Sequence, residues 1–265
     1  MSSPYLPPEI LDDIVDLLQD NPNALKGCCL VSKSWIPRTR KHLFTKVKLI
    51  TEEHVESWKA MFSDPSTSPA HFARSLGVGR AGAIAAADAE ADGWLSDFTH
   101  IVHLDVETPD IYLTESEISL IPFHGFSQTI KSLRVKSVDI PLLLIFDFIL
   151  SSPLLEDLTV SGYRDWVDDS DGSDGPPTFV QPWNPPTLTG SLGLFLMEGT
   201  KAVVGRLLSI PGGIHFRKLT LMWHREEDLP SIIALVGGCF HTLEFLDITS
   251  CTLDGTSIWH RSPHR

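Results

Sequence analysis

A short pattern of apolar positions, apolar-x-x-Leu-x-apolar, recurs along most of the chain. Its central leucine and the last apolar residue are two positions apart, which is the period of a β-strand with one buried face. Five clear copies and two weaker ones centre on Leu76, Leu104, Leu133, Leu158, Leu192, Leu219 and Leu246. Successive leucines are 25 to 34 residues apart, and a repeat of this length predicts a solenoid of stacked units.

Helical segments are predicted between these strands, because residues typical of helix ends flank apolar stretches. Thr51 can cap a helix that contains Val55 and Trp58, and a capping box starts at Thr114. A proline precedes residues 142–150, and Asp228 begins a helix that ends at residues 237–238. Strands and helices therefore alternate, and stacking would give one continuous core and a parallel ladder of strands.

The first fifty residues have a helical pattern instead of the strand repeat. Prolines are tolerated in the first turn of a helix, so the start Leu6-Pro7-Pro8-Glu9 predicts one. Its apolar stripe comprises residues 10, 11, 14, 17 and 18, with acidic residues opposite. Further helices are predicted at 24–32 and 35–44. Three short helices make a small core, so an apolar stripe that remains exposed is expected to contact a partner.

These helices resemble the F-box motif in the form common among fungal F-box proteins. The resemblance covers residues 5–48 and consists of L-P-P-E-I-L-x-x-I-x-x-L-L, then C-C-L-V-S-K-S-W, then R-x-R-K-H-L-F. In that family the motif binds the Skp-type adaptor of a Skp–cullin–F-box ubiquitin ligase. The alternative is that the same residues form a small helical core of this protein. The resemblance implies adaptor binding by Leu6, Pro7, Ile10, Leu11, Ile14, Leu30, Val31 and Trp35.

The repeats after residue 50 resemble the irregular leucine-rich repeats that follow F-boxes, although the asparagine ladder of regular repeats is absent. The predicted fold therefore combines α+β and α/β features: a three-helix F-box at 1–50, then a leucine-rich-repeat solenoid at 51–265. The longest step between leucines contains an acidic insertion at about 164–187, whose composition predicts a loop. An EF-hand glycine and glutamate are missing after Asp169, so we predict no calcium site there.

The residues that flank each buried leucine point to the opposite face of the predicted sheet. One column on that face comprises residues 79, 107, 136, 161, 195, 222 and 249. Adjacent strands lie about 4.8 Å apart, so Phe195 and Met222 are expected to be neighbours. The candidate face for a protein substrate is Phe195 and Met222, extended by Trp223 and Phe245. The alternative is that Phe195 and Met222 pack under local loops.

Composition excludes several classes of function. A net charge of −13 argues against a nucleic-acid partner or an anionic membrane surface. The four cysteines do not form a disulfide framework, and neither an export signal nor a bilayer-spanning apolar run is present, which indicates the cytoplasm or nucleus. The sequence has no phosphate-binding loop and no G-x-S-x-G elbow, and His100-x-x-His103 lacks an evident third ligand. We therefore expect no enzymatic activity, no cofactor and no metal.

Together these features predict a non-catalytic adaptor. The F-box would bind the Skp-type adaptor and cullin core, and the solenoid would hold a protein substrate for ubiquitin-dependent degradation through proximity alone. The alternative is a leucine-rich-repeat interaction scaffold that acts without a ligase. The sequence does not identify the substrate, its degradation signal or the oligomeric state.

The segment after the last predicted strand is mostly small and polar, without a clear amphipathic helix. A solenoid end that is not capped exposes an unpaired strand. We therefore expect an exposed edge at residues 243–251 that promotes self-association, in a chain shortened from a longer parent. The alternative is that Trp259 folds back and closes this end.

Overall fold

A computed structural model describes residues 7–79, 94–107, 120–136, 140, 142–162, 186, 188–196, 199–223, 225–251 and 257–260. Within this part of the chain there are seven α-helices, several 3-10 helices and one nine-stranded sheet. The helices and strands are, in order, α1 (Pro8–Leu17), α2 (Pro22–Val31), α3 (Ile36–Leu43), β1 (Lys46–Leu49), α4 (Glu52–Met61), β2 (Ser75–Gly79), β3 (His103–Glu107), β4 (Ser132–Lys136), α5 (Leu142–Leu150), β5 (Asp157–Ser161), β6 (Ser191–Phe195), α6 (Thr200–Leu208), β7 (Lys218–Trp223), α7 (Leu229–Cys239), β8 (Phe245–Cys251) and β9 (Ser257–His260).

The nine strands lie side by side in chain order. Strands β1 to β8 are parallel, and β9 runs antiparallel to β8. A ladder in chain order is the result of stacking strand-and-helix units one after another. The predicted parallel ladder with helices between its strands is confirmed, and the architecture is an α/β solenoid-like arrangement.

The repeated leucines form one column across the sheet. From β2 to β8, each central leucine lies opposite the leucine of the next strand, and the following apolar position forms a second column. The two weaker sequence copies, at Leu76 and Leu192, are therefore true members of the repeat. Most of these side chains are almost fully buried and share one core with residues of α4, α5, α6 and α7.

The strand ladder begins earlier than the sequence pattern indicated. β1 pairs with β2, and Val47 lies opposite Leu76, so the first strand falls inside the predicted 1–50 domain. Its pattern is Phe44-x-x-Val47-x-Leu49, in which valine replaces the expected leucine. Phe44 also fits the end of the helix predicted at residues 35–44, and this overlap conceals the copy.

Helix predictions were mostly confirmed. Thr51 caps α4 by accepting a hydrogen bond from the amide of His54, and α5 spans the predicted residues. Helix α7 continues past its glycines to Cys239, because neither glycine adopts the left-handed conformation that ends a helix. Helix α6 was not predicted: its N-cap is Gly199, which provides no side-chain capping signal. The predicted capping box at Thr114 and almost all of the acidic insertion lie outside the described residues.

Successive units are joined by one recurring backbone contact. A carbonyl oxygen just before one strand accepts hydrogen bonds from two consecutive amides at the start of the next. The β5–β6 junction differs, because Asp157 Oδ1 accepts the second amide, that of Ser191, at 2.6 Å. The first amide is that of Gly190. A side chain at this position would collide with the Asp157 carboxylate, and glycine has none. The carbonyls that accept two amides are those of Thr45, Arg74, Val102, Lys131, Gly190 and Arg217.

The prediction of an open edge at residues 243–251 is wrong for residues 248–251. Residues 257–260 form β9 along β8, with Ile248 opposite His260 and Thr249 opposite Trp259. The backbone of β8 is therefore paired over residues 248–251. The short polar tail conceals this strand, because it contains only two adjacent large apolar residues and no alternation.

Gly79 provides a test of the register between β1 and β2. A Cβ atom at Gly79 would lie 2.0 Å from the carbonyl oxygen of Ile50, which belongs to the backbone. We predict that Gly79→Ala lowers the free energy of unfolding by about 1–3 kcal/mol in chemical denaturation. The matched control is Gly205→Ala on α6, where a Cβ atom would meet nothing within 4 Å outside its chain neighbours and its own helix backbone, and a gain of up to about 1 kcal/mol is expected. An unchanged stability of Gly79→Ala would contradict the close approach.

Candidate functional site: an exposed helical surface and the open face of the sheet

The first three helices form a small unit with its own core. Val15, Leu25, Cys28 and Thr39 are buried between them. This group does not belong to the continuous core beneath the sheet. The N-terminal unit therefore has a separate, small interior, as its length predicts.

Several of the residues predicted to bind the adaptor are exposed. The exposed fraction is 90% for Leu30, 70% for Val31 and 46% for Ile10. Pro7 is also exposed, while Leu11, Ile14 and Trp35 are half-buried, and Leu6 lies outside the described residues. Large apolar side chains with this exposure form a surface that is suited to a protein partner. We call the set Ile10, Leu11, Ile14, Leu30, Val31 and Trp35 the helical apolar surface.

An ionic cluster joins α1 to α3. Both Asp16 carboxylate oxygens accept hydrogen bonds from Arg38, and His42 Nε2 lies 2.7 Å from Asp16 Oδ1. The hydrogen bond from Arg38, with a further contribution from His42, holds the Asp16 pKa well below its usual range. The same bond to Asp16 raises the Arg38 pKa. The apolar pattern of α1 predicts only that Asp16 lies on its polar side, and the one local signal for this contact is that Arg38 and His42 are four residues apart on one helix face.

The N-terminal unit is attached to the first unit of the sheet through α3. Arg40 Nη2 donates a hydrogen bond to the carbonyl oxygen of Thr67 at 2.9 Å. The Phe44 ring makes edge contacts with Trp58 and Phe62, at centroid distances of 6.0 and 5.8 Å. Polar and aromatic contacts therefore hold α3 against α4 and the segment before β2.

The face of the sheet that points away from the buried leucines is the second candidate surface, and we call it the open face. In β3 and β4 it presents charged residues in cross-strand pairs. Lys136 Nζ lies 2.7 Å from Glu107 Oε1, and Arg134 Nη1 lies 3.7 Å from Asp105 Oδ2. The hydrogen bond from Lys136 lowers the Glu107 pKa. Burial raises the Asp105 pKa despite the nearby Arg134.

The open face becomes apolar at β6 and β7. Phe195 lies opposite Met222 in the strand register, and both are half-buried. A Cβ atom at Gly193 would lie 2.9 Å from Phe195 Cε2 and 3.2 Å from Thr159 Oγ1. The Phe195 ring therefore lies back along its own strand, over a position that only glycine leaves free. The sheet thus brings together Phe195 and Met222, as the sequence pattern predicted.

The other two predicted face residues do not extend this pair directly. Phe245 is exposed but lies opposite Lys218. It is four positions from Thr249, the partner of Met222, which corresponds to about 13 Å along the strand. Trp223 lies opposite Ser250, and its side chain is outside the described part of the structure.

Two kinds of functional feature are absent from the described residues. They contain no group of three or more side chains placed to bind a metal ion. None of their helices is long and apolar enough to cross a bilayer. Comparison with protein-family models, curated proteins and solved structures finds no match to this chain.

The ionic cluster predicts a pH dependence of stability. The Asp16 pKa is lower in the folded chain than the value of about 4 expected when unfolded. Its bonds therefore stabilise the fold above about pH 4, and this contribution is lost as the pH falls further. We predict that Asp16→Asn lowers the unfolding temperature at neutral pH and reduces its fall between about pH 4.5 and pH 2.5. Asp20→Asn, at an exposed carboxylate, is the control and should behave as wild type. An equal acid sensitivity of Asp16→Asn and wild type would argue against the cluster.

Proposed function

We propose that this protein is a non-catalytic substrate adaptor of a Skp–cullin–F-box ubiquitin ligase. Its N-terminal helices would be the F-box, and the α/β solenoid-like sheet would be an irregular leucine-rich-repeat domain. The F-box would bind the Skp-type adaptor and cullin core, and the sheet would bind a protein substrate. The observation that supports this most directly is the exposure of apolar residues at the motif positions of the resemblance.

The packing of the N-terminal unit favours partner binding over core formation as the role of its exposed motif residues. Core packing uses Val15, Leu25 and Cys28, none of which belongs to the set expected to bind the adaptor. Leu30 and Val31 belong to that set and are 90% and 70% exposed at the end of α2. Residues with no packing role in the isolated chain are free to supply binding energy, which concentrates in a few apolar anchors at protein interfaces.

A substrate would be modified by a separately bound enzyme, so this chain would need only to hold the substrate near the ligase core. The contacts of α3 with Thr67, Trp58 and Phe62 join the helical unit to the sheet. A substrate on the open face would therefore stay close to a ligase core bound at the helices. Such tethering raises the effective concentration of the substrate at a separately bound conjugating enzyme.

Binding to a purified Skp-type adaptor tests the proposal. We predict that Leu30→Ala combined with Val31→Ala weakens this binding by about 2 kcal/mol or more, which is roughly 30-fold, in titration calorimetry. Both side chains are exposed, so the unfolding midpoint should stay within experimental error of wild type. The matched control is Met61→Ala, an exposed apolar residue on α4, which should bind normally.

The same titration separates the proposal from its alternative. Loss of binding in Leu6→Ala combined with Pro7→Ala would extend the adaptor contact to the start of α1. A wild-type chain that fails to bind the adaptor, or a Leu30 and Val31 double variant that binds normally, would overturn the ligase assignment. The chain would then be better described as an interaction scaffold.

A further inference from the structure

Three chemically different zones follow one another across the open face. Strand β4 presents the cations Arg134 and Lys136, and β5 presents the hydroxyls of Thr159 and Ser161. Strands β6 and β7 then present Phe195 and Met222. A ligand that crosses these strands would therefore meet a cationic zone, then hydrogen-bonding groups, then an apolar zone.

The two cations on β4 are accessible to a ligand. The exposed fraction of the side chain is 62% for Arg134 and 53% for Lys136. Their acidic partners, Asp105 and Glu107, lie on β3, which is on the side away from the apolar pair. Exposed ion pairs contribute little stability, and a guanidinium or ammonium group has several donors. A carboxylate above β5 can therefore be bound from the opposite side without breaking the existing pairs.

The position of Asp247 favours one orientation of an acidic ligand on the open face. It lies on β8 opposite Thr220, beyond the apolar pair as seen from β4. Lys218, the cation on that side, lies four positions from Met222 at the start of β7, whereas Lys136 lies in the same register row as Phe195 and Met222. A carboxylate in that row is therefore attracted on the β4 side and repelled on the β8 side, where Asp247 is the nearer charge. The favourable place for an acidic group on a ligand anchored at Phe195 and Met222 is therefore next to β4.

The strand spacing sets the distance between the two contacts. The centre of the Phe195–Met222 pair is two and a half strands from β4, or about 12 Å at about 4.8 Å per strand. An extended peptide rises about 3.3 Å per residue, and alternate side chains point the same way. Side chains four positions apart are thus separated by about 13 Å and point to the same side, which matches this distance.

We propose that the open face binds an extended peptide with an acidic side chain four positions from a large apolar side chain. The Asp or Glu carboxylate would accept hydrogen bonds from Arg134 and Lys136, and the apolar side chain would pack against Phe195 and Met222. The inference rests on the proposed use of this face for substrate and names the class of substrate. Thr159 and Ser161 supply hydrogen-bonding hydroxyls to the peptide between the two anchors.

Selection from a displayed library of linear peptides against the whole chain tests the proposal. The wild-type chain should enrich peptides with Asp or Glu four positions from Leu, Ile, Met or Phe. Arg134→Glu combined with Lys136→Glu should replace the acidic preference with Lys or Arg and keep the apolar one. Phe195→Ser combined with Met222→Ser should weaken a selected peptide by about tenfold or more. Lys46→Glu combined with Lys48→Glu, an equal charge change on β1, is the control and should leave the acidic preference unchanged.

Two outcomes would overturn the inference. One is that no peptide family is enriched, and the other is that the acidic preference survives charge reversal at β4. Titration with the Skp-type adaptor keeps this result separate from the ligase assignment. A chain that binds the adaptor but selects no such peptide loses only the peptide site. A chain that selects these peptides but does not bind the adaptor keeps the peptide site and loses the ligase assignment.

Discussion

The column of buried leucines is the constraint on which the structure depends. Each strand from β2 to β7 buries one leucine beside that of the next strand, and the partly buried Leu246 of β8 continues the column in unbroken register. A single unit has only one small apolar face and cannot exclude water from it alone, so burial is shared between neighbours. Stability is therefore cooperative along the ladder, and the backbone bonds that join successive strands hold the register that burial requires.

This constraint leaves the alternate positions available for recognition. Side chains alternate between faces along a strand, so residues on the open face can vary without changing the leucine column, except where a side chain would collide with its neighbours, as at Gly79 and Gly193. The chemistry of the open face therefore differs between strands, with charged residues on β3 and β4 and an apolar pair on β6 and β7. Gly193 affects both the packing of the sheet and the shape of the open face, because its missing side chain lets the Phe195 ring lie against the sheet.

Features that depend on a short period were predictable from the sequence, and features that depend on tertiary contacts were not. The leucine positions and the opposition of Phe195 and Met222 follow from a two-residue period and a repeat length. β1 was missed because Val47 stands in the leucine position, and α6 because Gly199 gives no capping signal. The role of Asp16 depends on α1 meeting α3, which no local pattern shows. Whether Leu30 is exposed also depends on packing, since an amphipathic stripe predicts a contact without naming the partner.

The two candidate surfaces are linked by the geometry of the ladder. Helix α3 leads directly into β1, and the contacts of Phe44 and Arg40 fix this junction. The apolar pair on β6 and β7 lies five to six strands from β1, which is about 24–29 Å at the usual spacing. Parallel strands joined by paired backbone bonds resist changes in this separation. Under the proposed function, the ladder therefore acts as a spacer between ligase and substrate, so inserting or deleting one unit would alter ubiquitin transfer without altering either binding surface.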